Sequence, residues 1–316
     1  MYSAVQRDEA FLRRLRAFIE EVYPIQPKAI IPANRGFYGE TWRVDSLRGS
    51  FFAKLDCSPH QGVYERSFPV IEHLCAHGID FICKIVKTRD NRLYTNFEGG
   101  VLGLFDWIDG ENRQDEQSKP HEYQMLAKVY SVDASGLAIP REDFSAHAAD
   151  AYFERRTRVE DESILALLEA KRTEIDACAQ QLRRFSERCA GDDTGFVITH
   201  ADAGGNVLVR DTPACGEQYY LIDWDTPRLA PPERDAWFCM HWPWAMRAFH
   251  DALRQNGIGY TLRPERLAYY CYYMYFYYLN EILDAHFALG DLSAYLADYL
   301  DGWMNDNRNY AERNIR

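Results

Sequence analysis

Nothing in this chain approaches the roughly 18 uninterrupted apolar residues that a membrane-spanning helix needs, so no such helix is expected. The opening MYSAVQRDEAFLRRL is charged throughout and lacks the apolar core of a signal peptide. No two of the eight cysteines form a CxxC pair, which argues against a zinc ribbon or a disulfide framework. They are expected to be reduced, mostly buried thiols in a cytoplasmic protein. Positive charge is in short supply: 36 Lys and Arg stand against 48 Asp and Glu, for a net charge of −12. That balance argues against a nucleic-acid binder and suits a cationic partner. Residues 267–307 contain no Lys or Arg at all. His73 and His77 are four apart, but no Glu follows the first, so a zinc-protease helix is not indicated.

What is present divides the chain in two. Phe11, Leu12, Leu15, Phe18, Ile19 and Val22 recur at helical spacing, which predicts a helix over 6–22 ended by Pro24 and Pro27. Short apolar runs at 41–44, 51–55, 81–86, 92–97 and 101–107 read as strands, with one helix near 62–77. After the polar stretch 109–120, helical periodicity takes over at 121–131, 162–189, 232–255, 265–288 and near 291–303. The run YYCYYMYFYY (269–278) is aromatic all round and reads as a buried helix. The predicted fold class is α+β: two lobes, an antiparallel sheet in front (1–108) and a mainly helical back (109–316).

Four features could carry chemistry. NRGFYGETWRV (34–44) places Gly36 and Gly39 between strands, where a bare backbone can approach phosphates, although a Gly-containing hairpin is the commoner explanation. Lys54 lies in the apolar strand FFAKL, where burial is costly unless its ammonium meets an anion. A strand wetted on alternate positions would explain Lys54 equally well. THADAGGN (199–206) holds Asp202 and Asn206 on a tight loop between strands. The carboxylate could accept a proton, and the amide oxygen is of the kind Mg²⁺ accepts. YYLIDWD (219–225) ends a strand on Asp223 and Asp225, and a hairpin would bring Asn206 and Asp223 to one end. Lysine, then Asp, then Asn, then a strand-end Asp is the order of parts in kinase-type phosphoryl transfer.

Residues 199–238 resemble the aminoglycoside phosphotransferase family, relatives of protein kinases and choline kinases, and IDWDTPRLAPPERD most resembles its spectinomycin phosphotransferase branch. The likeness extends more loosely from Asn34 to the aromatic helix. It implies a protein-kinase-like fold in which Asp202 is the catalytic base, Asn206 and Asp223 bind Mg²⁺, and Lys54 grips the nucleotide phosphates. Glu65 is the implied helix partner of Lys54, with Glu72 in reserve. Asp106, Trp107 and Ile108 become the hinge that reads adenine, and Asp235 is structural. Two departures stand out. Ala201 replaces the family's usual Gly, and Asp202 and Asn206 are four positions apart where five is usual. Gly204 and Gly205 are expected to absorb the shortening; the alternative is a nucleotide-binding protein without catalysis.

The expected donor is ATP, with GTP the other candidate. The acceptor is a hydroxyl on an aminoglycoside, an aminocyclitol or a similar metabolite, with a neutral sugar or choline as alternatives. Six acids in 267–307 (Glu281, Asp284, Asp291, Asp298, Asp301, Asp306) would suit an acceptor that carries amines. Glu281 and Asp284, three apart after the aromatic helix, are the favoured contacts. The protein is expected to be a monomer or weak dimer.

Overall fold

The computed structural model describes residues 7–33, 39–57, 61–113, 115–284, 292–303 and 305–315. Gly36 and Asp291 lie outside them. In chain order, α1 (Glu9–Val22), β1 (Pro27–Pro32), β2 (Glu40–Ser46), β3 (Gly49–Asp56), α2 (Gln61–Ala76), β4 (Thr95–Phe97), β5 (Gly100–Asp106), β6 (Glu111–Asn112) and α3 (Lys119–Tyr130) come first. Next are α4 (His147–Arg156), α5 (Glu162–Ala170), α6 (Arg172–Cys189), β7 (Val197–Thr199), β8 (Val207–Thr212), β9 (Gly216–Leu221) and β10 (Arg228–Ala230). Then follow α7 (Glu233–Ala236), α8 (Pro243–Gln255), α9 (Pro264–Leu283), α10 (Leu292–Asp298) and α11 (Asn305–Asn314). No described helix is long and apolar enough to cross a membrane.

The elements form two compact units: Met1–Pro140 with His200–Leu229, and Arg141–Thr199 with Ala230–Arg316. This grouping differs from a division at 108/109. The segment 200–229 clusters with the front sheet because Leu221 N–H bonds to Phe81 O (2.9 Å) and Lys54 bonds to Asp223 and Asp225.

In the first unit an antiparallel sheet runs in the order β1-β2-β3-β5-β4. Alternation along β3 sends Phe51, Ala53 and Leu55 to one face, where they join Phe11, Leu15 and Ile19 of α1 in a dry core with Trp42, Val44, Leu102 and Leu104. Lys54 belongs to the other face. It pairs in register with Thr41 on one side and Gly103 on the other. Gly103 lets α2 approach the sheet: a Cβ there would lie 2.6 Å from the Phe68 ring. A second sheet, β6-β8-β9, carries the hairpin after the THADAGGN loop, and α3 packs against β9.

The second unit is built around α9, against which α4, α6 and α11 pack. The aromatic run is a buried helix, as its composition predicts: Tyr269 through Phe276 are all buried. Two of its hydroxyls find acceptors, Tyr269 donating to Ser145 O (2.8 Å) and Tyr270 to the Glu142 carboxylate (3.2 Å), while the buried Tyr275 hydroxyl has no hydrogen-bond partner among the described residues.

Several elements differ from the sequence expectation. Residues 81–86 begin in a bend and join the sheet through a single bridge, Ile85 to Phe105, rather than as a strand. The 162–189 periodicity breaks at Lys171 into α5 and α6, while α4 and β1 were not anticipated. The pattern at 232–255 resolves into α7, a short 3-10 turn and α8, interrupted before Pro243.

Candidate active site

Lys54 decides the character of this site. It is only 7% exposed, so the reading of a wetted strand position is excluded. Its Nζ lies 3.2 Å from Asp223 Oδ1 and 2.5 Å from Asp225 Oδ2. The Tyr64 ring stands 4.7 Å from the same ammonium, a cation–π contact. Burial opposes the ammonium charge, but the two carboxylates outweigh it and raise Lys54 well above the ordinary lysine value. Burial also pushes the Asp223 carboxyl up, yet the Lys54 charge and hydrogen bond leave it below the ordinary carboxylate value. For Asp225, burial and then the Asp223 charge push the carboxyl up to about 7. For both acids the Lys54 charge favours the ionised form against burial.

The helix partner implied for Lys54 is not Glu65. Tyr64 and Phe68 occupy the buried face of α2, and Glu65, one residue round the helix, is exposed. Glu72 pairs instead with Lys87. The nearest carboxylates come from a segment about 170 residues away in sequence, which helix periodicity cannot reveal.

The residues of the 199–206 loop are fixed by their backbone neighbours. His200 is fully buried. Its Nε2 lies 2.8 Å from Ile222 O, and its Nδ1 receives the Asp202 amide at 3.3 Å. Nε2 therefore carries the proton. The ring packs edge-on against Trp224, 4.6 Å between centroids. Asn206 donates its side-chain amide to Asp202 O (2.7 Å), and its own carbonyl accepts from Ile222 N (2.9 Å). The amide nitrogen is thereby committed, and the side-chain oxygen is the atom left to meet a cation. Asp202 is exposed.

The loop turns tightly at Gly205, one of the two glycines expected to absorb the shortening. Gly205 N–H closes a tight turn onto Ala203 O at 2.6 Å, and Gly205 has φ +152°, which side-chain-bearing residues rarely adopt. Ala201 and Asp223 also have positive φ, +69° and +64°. Such backbone is costly for non-glycine residues and concentrates at functional sites. At Ala201 it gives the physical reason a glycine is usual there.

The other expected contacts fare unevenly. Gly39 has φ +82°, and a Cβ there would sit 2.7 Å from Leu55 O. Its need for glycine is met by its own strand neighbour. At the expected hinge, Asp106 N–H is bound to Lys84 O (2.9 Å) and Trp107 N–H to Ser50 O (3.3 Å). The Asp106 and Trp107 amides are thus already engaged within the protein. In the second unit, Asp284 is ion-paired with Arg155 at 2.5 Å, and Asp301 with Lys171 at 2.7 Å. These acids are neutralised locally. The sequence reading gave no role to His200 or Tyr64 and offered Asp225 only as an alternative to Asp223 for the cation; the available signals were a His two residues before the Asp and a second acid two residues after Asp223.

No described cluster of three or more His, Cys, Asp or Glu could hold a metal by itself. A cation held by one amide and one carboxylate, with phosphate completing its shell, needs no such cluster. Asp223, kept ionised by Lys54, and the Asn206 oxygen fit that role.

Fold and site together are those of a kinase-like phosphotransferase. A family model described as the phosphotransferase enzyme family matches residues 29–270, and the chain belongs to that family. No curated protein matches it in sequence. Among solved structures it is similar to spectinomycin phosphotransferase in complex with ADP and spectinomycin, at 18% identity and TM-score 0.75, covering 95% of this chain and 98% of that one. A microcompartment-associated aminopropanol kinase aligns at 15% identity and TM-score 0.63, over 96% and 97%. An aminoglycoside phosphotransferase from Alicyclobacillus acidocaldarius aligns at 16% and 0.58, over 99% and 98%. At these identities the likeness speaks for the fold.

Proposed function

We propose that this chain transfers the γ-phosphoryl group of ATP, with Mg²⁺, to a hydroxyl of an amine-bearing small molecule of the aminoglycoside or aminocyclitol type. The observation that carries the reading is the bonded frame linking Lys54, Asp202, Asn206 and Asp223. Lys54 is tied to Asp223, Ile222 to Asn206, and Asn206 to Asp202. Asp202 orients the acceptor hydroxyl and takes its proton. Lys54 meets the α/β-phosphates, and Asn206 and Asp223 hold the cation. Mg²⁺ supplies neutralisation of phosphate charge; the chain's own share is positioning and fixed electrostatics. Around the adenine we assign the carbonyls near Trp107 and the Ile108 backbone, since the Asp106 and Trp107 amides are engaged elsewhere.

For the acceptor amine we assign Glu281 and Asp284; Asp284 is ion-paired with Arg155, whose guanidinium also feels the Glu281 charge. Spectinomycin and aminopropanol, named for two of the similar structures, both fit an acceptor with hydroxyl and amine. The test is nucleotide consumption, with ATP and then GTP, against a panel of aminocyclitols, amino alcohols and neutral sugars. Turnover confined to amine-bearing hydroxyl compounds, with Glu281→Gln raising their KM alone, is the expected result. Equal turnover of neutral sugars removes the cationic acceptor. No turnover of any compound by a chain that binds ATP favours the non-catalytic alternative.

A further inference from the structure

Lys54 has more negative charge around it than a lysine needs. One ammonium is flanked by Asp223 at 3.2 Å and Asp225 at 2.5 Å, which leaves the trio with a net charge of −1. The two acids are not equivalent. Asp223 sits at a strained, positive-φ position with its side chain 38% exposed, open to an incoming ligand. Asp225 makes the shorter contact and is 16% exposed. Among the described residues no third carboxylate is ion-paired with Lys54: Glu65 is exposed and Glu72 is bound to Lys87.

This asymmetry matters when a cation arrives. An Asp223 carboxylate that turns to a divalent ion withdraws part of its charge from Lys54. A buried ammonium left without a partner would then be strongly destabilised. A second carboxylate that stays on the lysine removes that conflict.

We propose that Asp225 is the positioning residue for Lys54, filling from the segment after β9 the place that a helix glutamate would otherwise fill. Asp225 keeps the ammonium anchored while Asp223 serves the cation. The lysine clamp is therefore assembled by the same short segment that supplies the metal ligand, with α2 contributing the Tyr64 ring rather than a carboxylate. The inference rests on the nucleotide-binding reading above and adds a division of labour between the two acids.

The test is calorimetric binding of ATP by the full chain, with Mg²⁺ titrated in and separately in EDTA, for the wild type, Asp225→Asn and Asp225→Glu. In Asp225→Asn, Lys54 falls wholly on Asp223 and competes with the cation. The Mg²⁺ requirement for ATP binding should rise by about 10–100-fold, the usual cost of losing a residue that orients a metal ligand. ATP binding in EDTA should not weaken, because a negative charge has left a phosphate site. Asp225→Glu should restore part of the Mg²⁺ response. A merely structural role for Asp225 would weaken binding in both conditions, and that result overturns the proposal. So does a wild-type Mg²⁺ titration in Asp225→Asn, or a Glu65→Gln variant that reproduces the loss. If the wild type itself binds no ATP, the nucleotide-binding reading fails, and the proposal with it.

Discussion

Replacing Lys54 by Met keeps the aliphatic stem and removes one charge, and the structure fixes what that should do. The ammonium is the only cation ion-paired with Asp223 and Asp225 among the described residues. Breaking a buried ion pair by removing one partner costs about 3–5 kcal/mol. Asp223 is more than a third exposed, so its share is screened and adds at most about 1 kcal/mol. Asp225 is mostly enclosed and carries the rest, which puts the expected loss at the lower end, about 3 kcal/mol near pH 8. The loss should depend on pH with a definite sign. Burial and the Asp223 charge already push Asp225 up to about 7 with Lys54 present. Without Lys54 both carboxyls move higher. A carboxyl whose folded pKa exceeds its unfolded value loses stability as pH rises between the two. The gap between wild type and variant should therefore widen from pH 5 to pH 8, and close fully only below the ordinary carboxylate range, where Asp223 of the wild type also protonates. Urea denaturation of the two proteins in EDTA across that range measures it. A difference below about 1 kcal/mol, or one that does not change with pH, would refute the claim that Lys54 is a buried counter-ion for these acids.

Four further outcomes are expected. Asp202→Asn should leave ATP binding intact and slow transfer by about 10²–10⁴-fold; near-normal single-turnover rates would remove Asp202 as the base. Asp223→Ala should raise the Mg²⁺ requirement for ATP binding more than Asn206→Ala, because a carboxylate brings a full charge and an amide only a dipole. Mg²⁺ titration ranks them. His200→Phe keeps a ring beside Trp224 but leaves Asp202 N–H and Ile222 O without their partner. At about 1–3 kcal/mol for each orphaned group, stability should fall by about 2–6 kcal/mol and kcat should fall with it, both readable on one preparation. Gly103→Ala would put a Cβ 2.6 Å from the Phe68 ring, and such overpacking costs about 1–3 kcal/mol. A melting temperature unchanged by it would mean that α2 moves freely on the sheet.

The parts of the site and their order can be read from the chain alone. Lys54, Asp202, Asn206 and Asp223 are legible because each sits in a short string whose flanks declare a strand or a tight turn, and such signals are local. The aromatic helix was legible for the same reason: a run apolar on every side has to be buried. Tertiary structure alone decided who meets whom. Glu65 looked like the lysine's partner because it lies on the expected helix. Packing, however, turned Tyr64 and Phe68 inward and left Glu65 in water. Asp284 looked like an unopposed acid because no basic residue lies near it in sequence. Arg155, 129 residues earlier, meets it in the fold. The strand expected at 81–86 failed for a related reason. A run's composition can show that it extends, but ladder pairing depends on a neighbour the run does not contain. Charge pairs and strand pairs are settled by distance in space, and a single sequence records only distance along the chain.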